Sequence, residues 1–331
     1  YTAYYDALIS EYFSNRLSVF NPEYLSMSYR LGTSLRYGEN PHQNAAFYEK
    51  VYEENGAEWK QLHGKELSYN NYTDMYNAVR FVKEFSEPAV VGTKHNNPAG
   101  IGIGETIDEA FDKAYACDAT SLFGGIFALN RPVTKHIAEV LHSFFMEIVI
   151  APAYEEEALS ILEEKKNLRV IVMPNLSSFS LPKKTVKEVL GGILVQDYDN
   201  ADLTEEMEVV SARKPTEEEM RDLLFGFKAV KMVASNGAVL VKDGATLGIG
   251  QGQVRRTWAV EDALSHGEGK HSGAVLASDG FFFADTVELL QKHGIRGAIQ
   301  PGGSVKDPEV IELCDQYGIA LVMTHIRHFR H

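Results

Sequence analysis

Lys94 and His95 stand side by side in the stretch VVGTKHNNPAG, directly after a short run of branched apolar residues. An ammonium group beside an imidazole disfavours the imidazolium form, so a neutral His95 could accept a proton near pH 7. Neighbouring side chains on a strand point to opposite faces, and both serve one site only where the backbone bends. The segment Asn96–Pro98 predicts that bend. The pair is a candidate general base with its cation; the spacing alone slightly favours the alternative, a solvated loop.

Two further segments could bind an anion. The stretch LRYGENPHQ places Arg36 and Tyr37 in a Gly- and Pro-bent turn, where a guanidinium fork and a phenol hydroxyl suit a phosphate. The chain ends in HIRHFRH, and positive charge could be added to such a pocket by Arg327, His328, Arg330 and His331. An ordinary polar turn explains the first segment equally well, and a frayed basic terminus is the more usual interpretation of the second.

A third group of candidates lies in the second half of the chain. The stretch VASNGAVLVKDGATLGIGQGQVRR places Asn236 before a predicted hairpin and Arg256 after a Gly-rich turn. Its glycines let the backbone approach a ligand closely, or they shape a bend; they lack the spacing of a dinucleotide fingerprint. Further on, residues 281–283 are three Phe that could wall a flat heteroaromatic ring, with Asp285 at its edge. Three adjacent Phe are more often core, and they cannot all face one way.

Two stretches imitate known motifs and fail. HGE at residues 266–268 resembles the H-x-E of zinc deaminases, but no P-C-x-x-C exists, and Cys117 and Cys314 stand alone. GEGKHS resembles a P-loop, yet Leu264 stands where its first Gly belongs and His271 where Ser or Thr belongs. A zinc deaminase and an ATP-driven enzyme are therefore disfavoured.

Composition limits the partners. The chain has 331 residues, of which 44% are hydrophobic and 24% charged, as in a soluble globular protein with a sizeable core. Its net charge of −14 disfavours binding to nucleic acid or anionic membranes. The two cysteines indicate a reducing cytosol, and no apolar run approaches the ~20 residues that span a bilayer. We expect a cytoplasmic protein; the first residue, which is not Met, suggests a processed chain or a fragment.

The elements that must position these residues alternate between strands and helices. Apolar strands and amphipathic helices occur before and after a polar middle of roughly residues 181–221. This alternation predicts an α/β fold with a largely parallel sheet, whose sites gather at the carboxyl ends of strands. Lys94, His95 and Glu147 fall near such ends. Thr73 and Asp74 predict one helix start, and Asp243-Gly244 predicts a hairpin turn.

The chain resembles the transformylase portion of the bifunctional purine biosynthesis enzymes (the AICAR transformylase/IMP cyclohydrolase family). The stretches that carry this resemblance, in order, are RYGENPHQ, KHNNPAG, FGGIFALNRPV, IAPAYEEEAL, GGILVQDYD, SNGAVLVKDGATLGIGQGQ and SDGFFF. They cover nearly the whole chain, and its first residues are similar to the join after the cyclohydrolase domain. The family transfers a formyl group from 10-formyltetrahydrofolate to the 5-amino group of AICAR, an aminoimidazole carboxamide ribotide.

The resemblance implies two cytidine-deaminase-like α/β units in tandem, without zinc. The expected divisions are an N-terminal linker helix (1–25), a first unit (26–182), a connector (183–221) and a second unit (222–331). It also implies a homodimer that builds each active site from two subunits. A folate co-substrate is expected without metal or ATP, and a monovalent cation is a further candidate. The expected partners are small molecules, with neither nucleic acid nor membrane among them.

The resemblance also assigns roles. Lys94 and His95 match the catalytic pair, and Asn236 is a further candidate for a catalytic contact. Nucleotide binding is implied for Arg36, Tyr37, Phe123, Gly124, Glu147, Arg256, Phe281, Arg327 and His331, and folate binding for Phe283 and Asp285. The family often has one more residue before the Asp than SDGFFFAD has. In the implied mechanism His95 accepts the amine proton while Lys94 helps to stabilise the oxyanion. The alternative is a catalytically silent nucleotide-binding or regulatory module of the same fold.

Overall fold

The structure is a computed structural model that describes residues 2–17, 19–51, 55–203 and 206–331. The chain is a mixed α/β protein, as predicted. One helix and three strands come first: α1 (Thr2–Arg16), β1 (Tyr29–Leu35), β2 (Ala45–Lys50) and β3 (Lys60–His63). β1 and β2 pair with each other in a separate antiparallel sheet.

A first repeat occupies residues 69–172. Its elements are α2 (Tyr69–Val82), β4 (Ala89–Lys94), β5 (Asn97–Ile103), α3 (Ile107–Cys117), β6 (Ile126–Leu129), α4 (Lys135–His142), β7 (Ile148–Ala151), α5 (Glu156–Glu163) and β8 (Arg169–Val172). The predicted start of α2 at Thr73 and Asp74 is wrong, because Ser68 caps the helix. Its side chain accepts the Asn71 N–H, and the Asn71 side chain accepts the Ser68 N–H. Asn stands where a capping box usually has Glu or Gln, so the usual pattern misses it.

A connector and a second repeat complete the chain. The connector contains β9 (Lys184–Val189), β10 (Gly192–Asp197) and β11 (Glu208–Val209). The second repeat, residues 217–323, consists of α6 (Glu217–Val230), β12 (Ala238–Lys242), β13 (Ala245–Gly250), α7 (Arg256–His266), β14 (Val275–Ser278), α8 (Ala284–Lys292), β15 (Gly297–Gln300), α9 (Asp307–Tyr317) and β16 (Ala320–Met323). Its order of helices and strands is the same as in the first repeat. The predicted boundary between connector and second unit, after residue 221, falls inside α6.

Twelve strands form one sheet in the order β11-β16-β15-β14-β12-β13-β5-β4-β6-β7-β8-β3. The strands β14, β15 and β16 are parallel, as are β6, β7 and β8. The hairpins β4–β5 and β12–β13 lie between these groups and join where Ala245 faces Gly102. The prediction of a largely parallel sheet is therefore wrong at the centre. Strands joined by a two-residue turn can pair only antiparallel.

Helices cover both faces of the sheet. One face packs against α2 and α6, around buried side chains that include Phe81, Phe225 and Ile299. The opposite face has one apolar cluster under α3, α4 and α5, and another under α7, α8 and α9. The protein therefore has three layers, with the sheet in the middle.

Glycines in β5 and β13 let a helix approach each strand closely. A Cβ on Gly100 or Gly102 would lie 2.0 or 2.3 Å from a carbonyl oxygen of α3. A Cβ on Gly248 or Gly250 would lie 2.0 or 1.8 Å from a carbonyl oxygen of α7. The structure thus favours helix packing over ligand approach as the reason for these glycines.

The periphery of the protein is rich in exposed apolar side chains. They occur on α1 and on the two small sheets, and include Tyr5, Tyr12, Phe13, Leu31, Tyr48, Leu190 and Leu194. The connector has little core, as predicted, although its hairpin β9–β10 was not expected. No helix within the described ranges is long and apolar enough to span a membrane.

Candidate active site

His95 and Asn96 form the two-residue turn between β4 and β5. Both have left-handed backbone conformations, with φ of 51° and 65°, and Lys94 pairs with Asn97 across the hairpin. The predicted bend exists, but it begins one residue earlier than expected, because Asn97 and Pro98 already belong to β5. His95 is exposed and Lys94 is half-buried. The imidazole is therefore accessible at the tip of a hairpin.

Asp74 of α2 holds this turn. Its Oδ1 accepts the Asn96 N–H at 2.6 Å. Burial raises the pKa of Asp74, the Asn96 N–H and His95 act to lower it, and the charge of Glu147 adds to the rise. Glu147 itself forms an ion pair with Arg169 at 2.5 Å, just before β7. The charges of His95 and Glu147 are thus both close enough to act on Asp74.

Lys94 connects the turn to the loop before β6. Its Nζ donates to the carbonyl oxygen of Phe123 at 2.8 Å. The side chain of Phe123 is exposed, and Gly124 has a left-handed φ of 74°. Three of the residues implied by the resemblance therefore meet beside His95. An ammonium group has three donors, so two remain after the bond to Phe123.

Asn236 lies two residues before the start of β12, after a cis peptide bond to Ser235. Its Oδ1 accepts from Nη2 of Arg256 at 2.6 Å, and its Nδ2 donates to the Gln253 carbonyl at 2.7 Å. Nη1 of Arg256 donates to Ser278 Oγ at 2.9 Å and forms an ion pair with Asp279, whose side chain is fully buried. The Arg256 guanidinium therefore fixes the orientation of the Asn236 amide.

Two contacts join the His95 turn to the segment before β12. The Ala234 N–H donates to Asn97 Oδ1 at 3.3 Å. Arg330 donates through Nη2 to the Asn96 carbonyl at 2.9 Å, and through its backbone N–H to Ser235 Oγ at 3.0 Å. Burial lowers the pKa of Arg330 to about 10, which leaves the guanidinium charged at neutral pH. The two repeats thus meet at the candidate site.

The C-terminal residues pack onto this junction. The Arg327 guanidinium carbon lies 4.3 Å from the Phe329 ring centroid, and the rings of Phe329 and His331 are 5.6 Å apart. A Cβ on Gly280 would lie 2.3 Å from Arg256 Nη2 and 2.8 Å from the Phe329 ring. The absence of a Cβ at Gly280 therefore allows the C-terminal segment to pack beside Arg256.

The chain does not end in a frayed terminus. His328 is 2% exposed, packs on the Phe227 ring and makes a 2.7 Å ion pair through Nδ1 with Asp199 of the connector. Burial acts to raise the pKa of Asp199, but the hydrogen bond and charge of His328, together with the charge of Lys231 and the Ala201 N–H, lower it overall. His328 therefore anchors the C-terminal segment instead of adding charge to a pocket.

The three Phe after Gly280 face different ways, as the sequence indicated. Phe282 is fully buried, Phe281 is half-buried, and Phe283 is exposed. The rings of Phe281 and Phe283 are 5.4 Å apart and nearly perpendicular. Asp285 forms a 3.3 Å ion pair with Arg255, which precedes α7. Phe281, Phe283 and Asp285 thus lie in the segment directly after Gly280, and all three are at least partly exposed.

Arg36 and Tyr37 lie just after β1. Arg36 is exposed, and its guanidinium carbon lies 5.6 Å from the Tyr37 ring centroid. This segment contacts α2, because Asn70 Nδ2 donates to the Glu39 carbonyl at 3.4 Å. No hydrogen bond or ion pair within the described ranges joins Arg36 or Tyr37 to His95. Their part in the site stays a prediction.

Sequence reasoning missed the residues that hold the site together. In the sequence, Asp74 is typical of a helix start and Arg330 of a basic terminus, and no motif marks Ser235. Their partners are distant in sequence, so no local pattern reveals them. No group of three His, Cys, Asp or Glu side chains in the described part of the chain is arranged to hold a metal ion.

Comparison with known proteins supplies the family. A sequence model described as AICARFT/IMPCHase bienzyme matches residues 1–266. The chain belongs to this family. A relative from Oceanobacillus iheyensis, named bifunctional purine biosynthesis protein PurH, is 50% identical over 335 residues. Proteins of the same name from Clostridium acetobutylicum and Bacillus subtilis are 51% and 47% identical.

These relatives are longer than the chain. The alignments cover 100%, 99% and 100% of the chain, but 66%, 64% and 65% of the proteins from O. iheyensis, C. acetobutylicum and B. subtilis. The chain thus spans about two thirds of the bifunctional proteins that it matches.

Proposed function

We propose that the chain transfers the formyl group of 10-formyltetrahydrofolate to the 5-amino group of AICAR, a step in the synthesis of IMP. Membership of the AICARFT/IMPCHase family supports this proposal. The observation that carries it is the exposed imidazole of His95 on a hydrogen-bonded hairpin turn, with Lys94 beside it and the segment of Asn236 attached. A general base must be accessible and well oriented, and this turn offers both.

In the proposed reaction, the amine nitrogen of AICAR attacks the formyl carbon. The lone pair of this amine is delocalised into its ring, so His95 accepts a proton from the nitrogen as the new C–N bond forms. The formyl oxygen gains negative charge, which a free donor of Lys94 and the second N–H of Asn236 Nδ2 stabilise. The bond to N10 of the folate then breaks, N10 takes its electron pair, and the proton held by His95 moves to N10.

The remaining site residues are proposed to bind the two substrates. Cationic and phenolic groups suit the phosphate of AICAR, and the exposed Arg36 and Arg327 are the clearest examples. The nucleotide contacts are proposed for Arg36, Tyr37, Phe123, Gly124, Glu147, Arg256, Phe281, Arg327 and His331. Folate contacts are proposed for Phe283 and Asp285. Because Arg255 already pairs with Asp285, the folate would share or replace that partner.

The proposal includes the architecture implied by the resemblance. We infer that the two repeats are cytidine-deaminase-like units, with divisions near residues 25, 182 and 221. A homodimer in the cytoplasm completes the proposal, and exposed apolar side chains on α1 and the two small sheets support it. Such side chains on a surface commonly mark an interface.

The test removes the base without disturbing the turn. His95→Asn keeps a residue that tolerates left-handed φ, and Asp243→Asn makes the matched change in the turn of the second repeat. We expect His95→Asn to lower kcat by roughly 10²–10⁴-fold, the usual contribution of a general base, and Asp243→Asn to leave it unchanged. The rate is followed as tetrahydrofolate appears from AICAR and 10-formyltetrahydrofolate.

Two results would contradict the proposal. A His95→Asn variant that works at the full rate would remove His95 as the base. An unmodified chain that binds AICAR but produces no tetrahydrofolate would instead indicate the silent nucleotide-binding module.

A further inference from the structure

Three hydrogen bonds hold the Arg330 guanidinium. Nη1 donates to the Met232 carbonyl at 2.6 Å, and Nη2 donates to Asn77 Oδ1 at 3.0 Å and to the Asn96 carbonyl at 2.9 Å. The guanidinium carbon lies 5.1 Å from the Phe81 ring centroid. This arrangement differs from the sequence interpretation, in which Arg330 adds charge to an anion pocket. The fork instead connects the end of the chain to α2 and to the His95 turn.

The backbone of Arg330 is fixed as well. Its N–H donates to Ser235 Oγ, and its carbonyl oxygen accepts the Ser235 N–H, both at 3.0 Å. Ser235 Oγ donates in turn to the buried carboxylate of Asp279 at 2.5 Å. Since Ser235 directly precedes Asn236, Arg330 is bound on one side to the segment of Asn236 and on the other to the turn of His95.

The turn needs such a restraint. His95 and Asn96 both have left-handed φ, a region that costs an L-residue free energy even though Asn and His enter it more often than most. Asp74 restrains only the N–H of Asn96, and the next peptide group along the chain contains the carbonyl bound by Arg330. The two bonds together hold Asn96 from both sides. The imidazole immediately before it takes its direction from that backbone.

We propose that Arg330 is a positioning residue, whose hydrogen bond to the Asn96 carbonyl fixes the direction of His95 relative to Asn236. The proposal rests on the proposed function, because it assigns Arg330 a role in the same reaction. Arg330 touches neither substrate in this scheme and acts only through the turn. A different role, anchoring the C-terminal segment that carries Arg327 and His331, predicts weaker nucleotide binding instead of slower chemistry.

Steady-state kinetics separate these two roles. Arg330→Ala is compared with Arg80→Ala, because Arg80 stacks on the same Phe81 ring, at 5.7 Å, and makes no hydrogen bond to the turn among the described residues. We expect Arg330→Ala to lower kcat roughly 10²-fold, as a misplacement of about 1 Å can, with KM for AICAR little changed. Arg80→Ala should keep its kcat. A raised KM with unchanged kcat in Arg330→Ala, or an equal loss of kcat in Arg80→Ala, would overturn the proposal.

Hydrogen–deuterium exchange tests the same role without any turnover. We expect the amides of residues 95–97 to exchange faster in Arg330→Ala than in the unmodified chain, while residues 243–245 of the other hairpin exchange as before. Equal acceleration at both hairpins would indicate general loosening, and no acceleration at residues 95–97 would show that Arg330 does not restrain the turn. Either result would refute the positioning role. If the unmodified chain transfers no formyl group, the proposed function fails, whereas this exchange pattern still decides the role of Arg330.

Discussion

The hairpin turns of the two repeats are built on the same plan. The turn at His95-Asn96 joins β4 to β5, and the turn at Asp243-Gly244 joins β12 to β13. All four residues have positive φ, between 51° and 69°. In each repeat a lysine precedes the turn and donates at 2.8 Å to the carbonyl oxygen of the third residue before the next strand, β6 or β14. In each repeat an aspartate, the sixth residue of α2 or α6, accepts a backbone N–H of the turn.

The turns differ in what occupies and restrains them. Asp222 accepts two N–H groups, from Asp243 at 2.9 Å and Gly244 at 2.8 Å, whereas Asp74 accepts only that of Asn96. The second turn has the Asp-Gly sequence that such turns favour. The first turn has two non-glycine residues, and its Asn96 carbonyl accepts from the Arg330 side chain at 2.9 Å, whereas the Gly244 carbonyl of the second turn accepts the Ile103 backbone N–H at 2.9 Å.

This difference separates the scaffold from the proposed chemistry. The lysine, the aspartate and the left-handed turn occur in both repeats, so they are features of the common fold. The first turn differs in having His95 and a carbonyl held by the Arg330 side chain where the second turn uses the Ile103 backbone N–H, and these are the features that we connect with catalysis. An L-residue in the left-handed region costs roughly 1–2 kcal/mol, somewhat less for Asn. The first turn thus combines a less favourable backbone with a restraint from the side chain of a residue distant in sequence, Arg330.

The largest expected effect comes from replacing each of the two aspartates, Asp74 and Asp222, by Ala. Asp74→Ala removes the carboxylate that accepts the Asn96 N–H, and we expect kcat to fall roughly 10²-fold, equivalent to about 2.7 kcal/mol in the barrier. Asp222→Ala leaves two N–H groups without their acceptor, and we expect it to lower the free energy of unfolding by about 2 kcal/mol with kcat unchanged. Formyl-transfer kinetics and urea unfolding measure the two quantities.

Each aspartate variant is the control for the other. If Asp222→Ala slowed the reaction as much as Asp74→Ala, the second turn would not be a passive counterpart of the first. The comparison would then lose its meaning as a division between scaffold and chemistry.

A smaller effect is expected from substitutions at the second residue of each turn, which is Gly244 in one and Asn96 in the other. Gly244→Ala introduces a Cβ 2.8 Å from Ile103 Cγ1 at a φ of 69°, and we expect it to lower the free energy of unfolding by about 1–2 kcal/mol. Asn96→Gly is the matched change in the other repeat. It should alter the free energy of unfolding by less than about 1 kcal/mol, because Asn already tolerates this region. Urea unfolding of both variants measures these changes in the free energy of unfolding. If the two variants were equally destabilised, the side chain of Asn96 would contribute more to stability than its backbone conformation does.

The same two turns show how far the sequence could predict the fold. Asp243-Gly244 was recognised because its left-handed backbone is favoured locally, by residue type. The sequence predicts a bend at Asn96–Pro98, one residue later than the turn at His95-Asn96, and does not predict β5. The conformation of this turn depends on Asp74 and Arg330, which are distant in the sequence. Without the hairpin β4–β5, the sequence pattern predicts parallel strands at the centre of the sheet, where the structure has antiparallel strands.

The candidate site was predictable in its types of residue, and less so in its connections. Lys94 and His95 were identified from their chemistry, and the structure places Phe123 and Gly124 beside them. The ion pair that occupies Arg256 could not be predicted, since Asp279 follows a different strand. Side chains that reach a ligand and side chains that hold other side chains have the same residue types, and only distances distinguish them.

The smallest expected effect concerns the protonation of the two aspartates. Burial raises the pKa of Asp222 above its ordinary value of 3.8, although two N–H donors act to lower it, and the pKa of Asp74 is raised as well. The folded chain thus holds a proton at Asp222 more tightly than the unfolded chain does. This contribution to stability is complete below 3.8 and is lost as the pH rises through the raised pKa. The free energy of unfolding of the unmodified chain minus that of Asp222→Asn should therefore decrease as the pH rises above 3.8. Urea unfolding across this interval measures it. A difference that increased with pH would mean that the two N–H groups outweigh burial, and that Asp222 holds its turn as a readily ionised carboxylate.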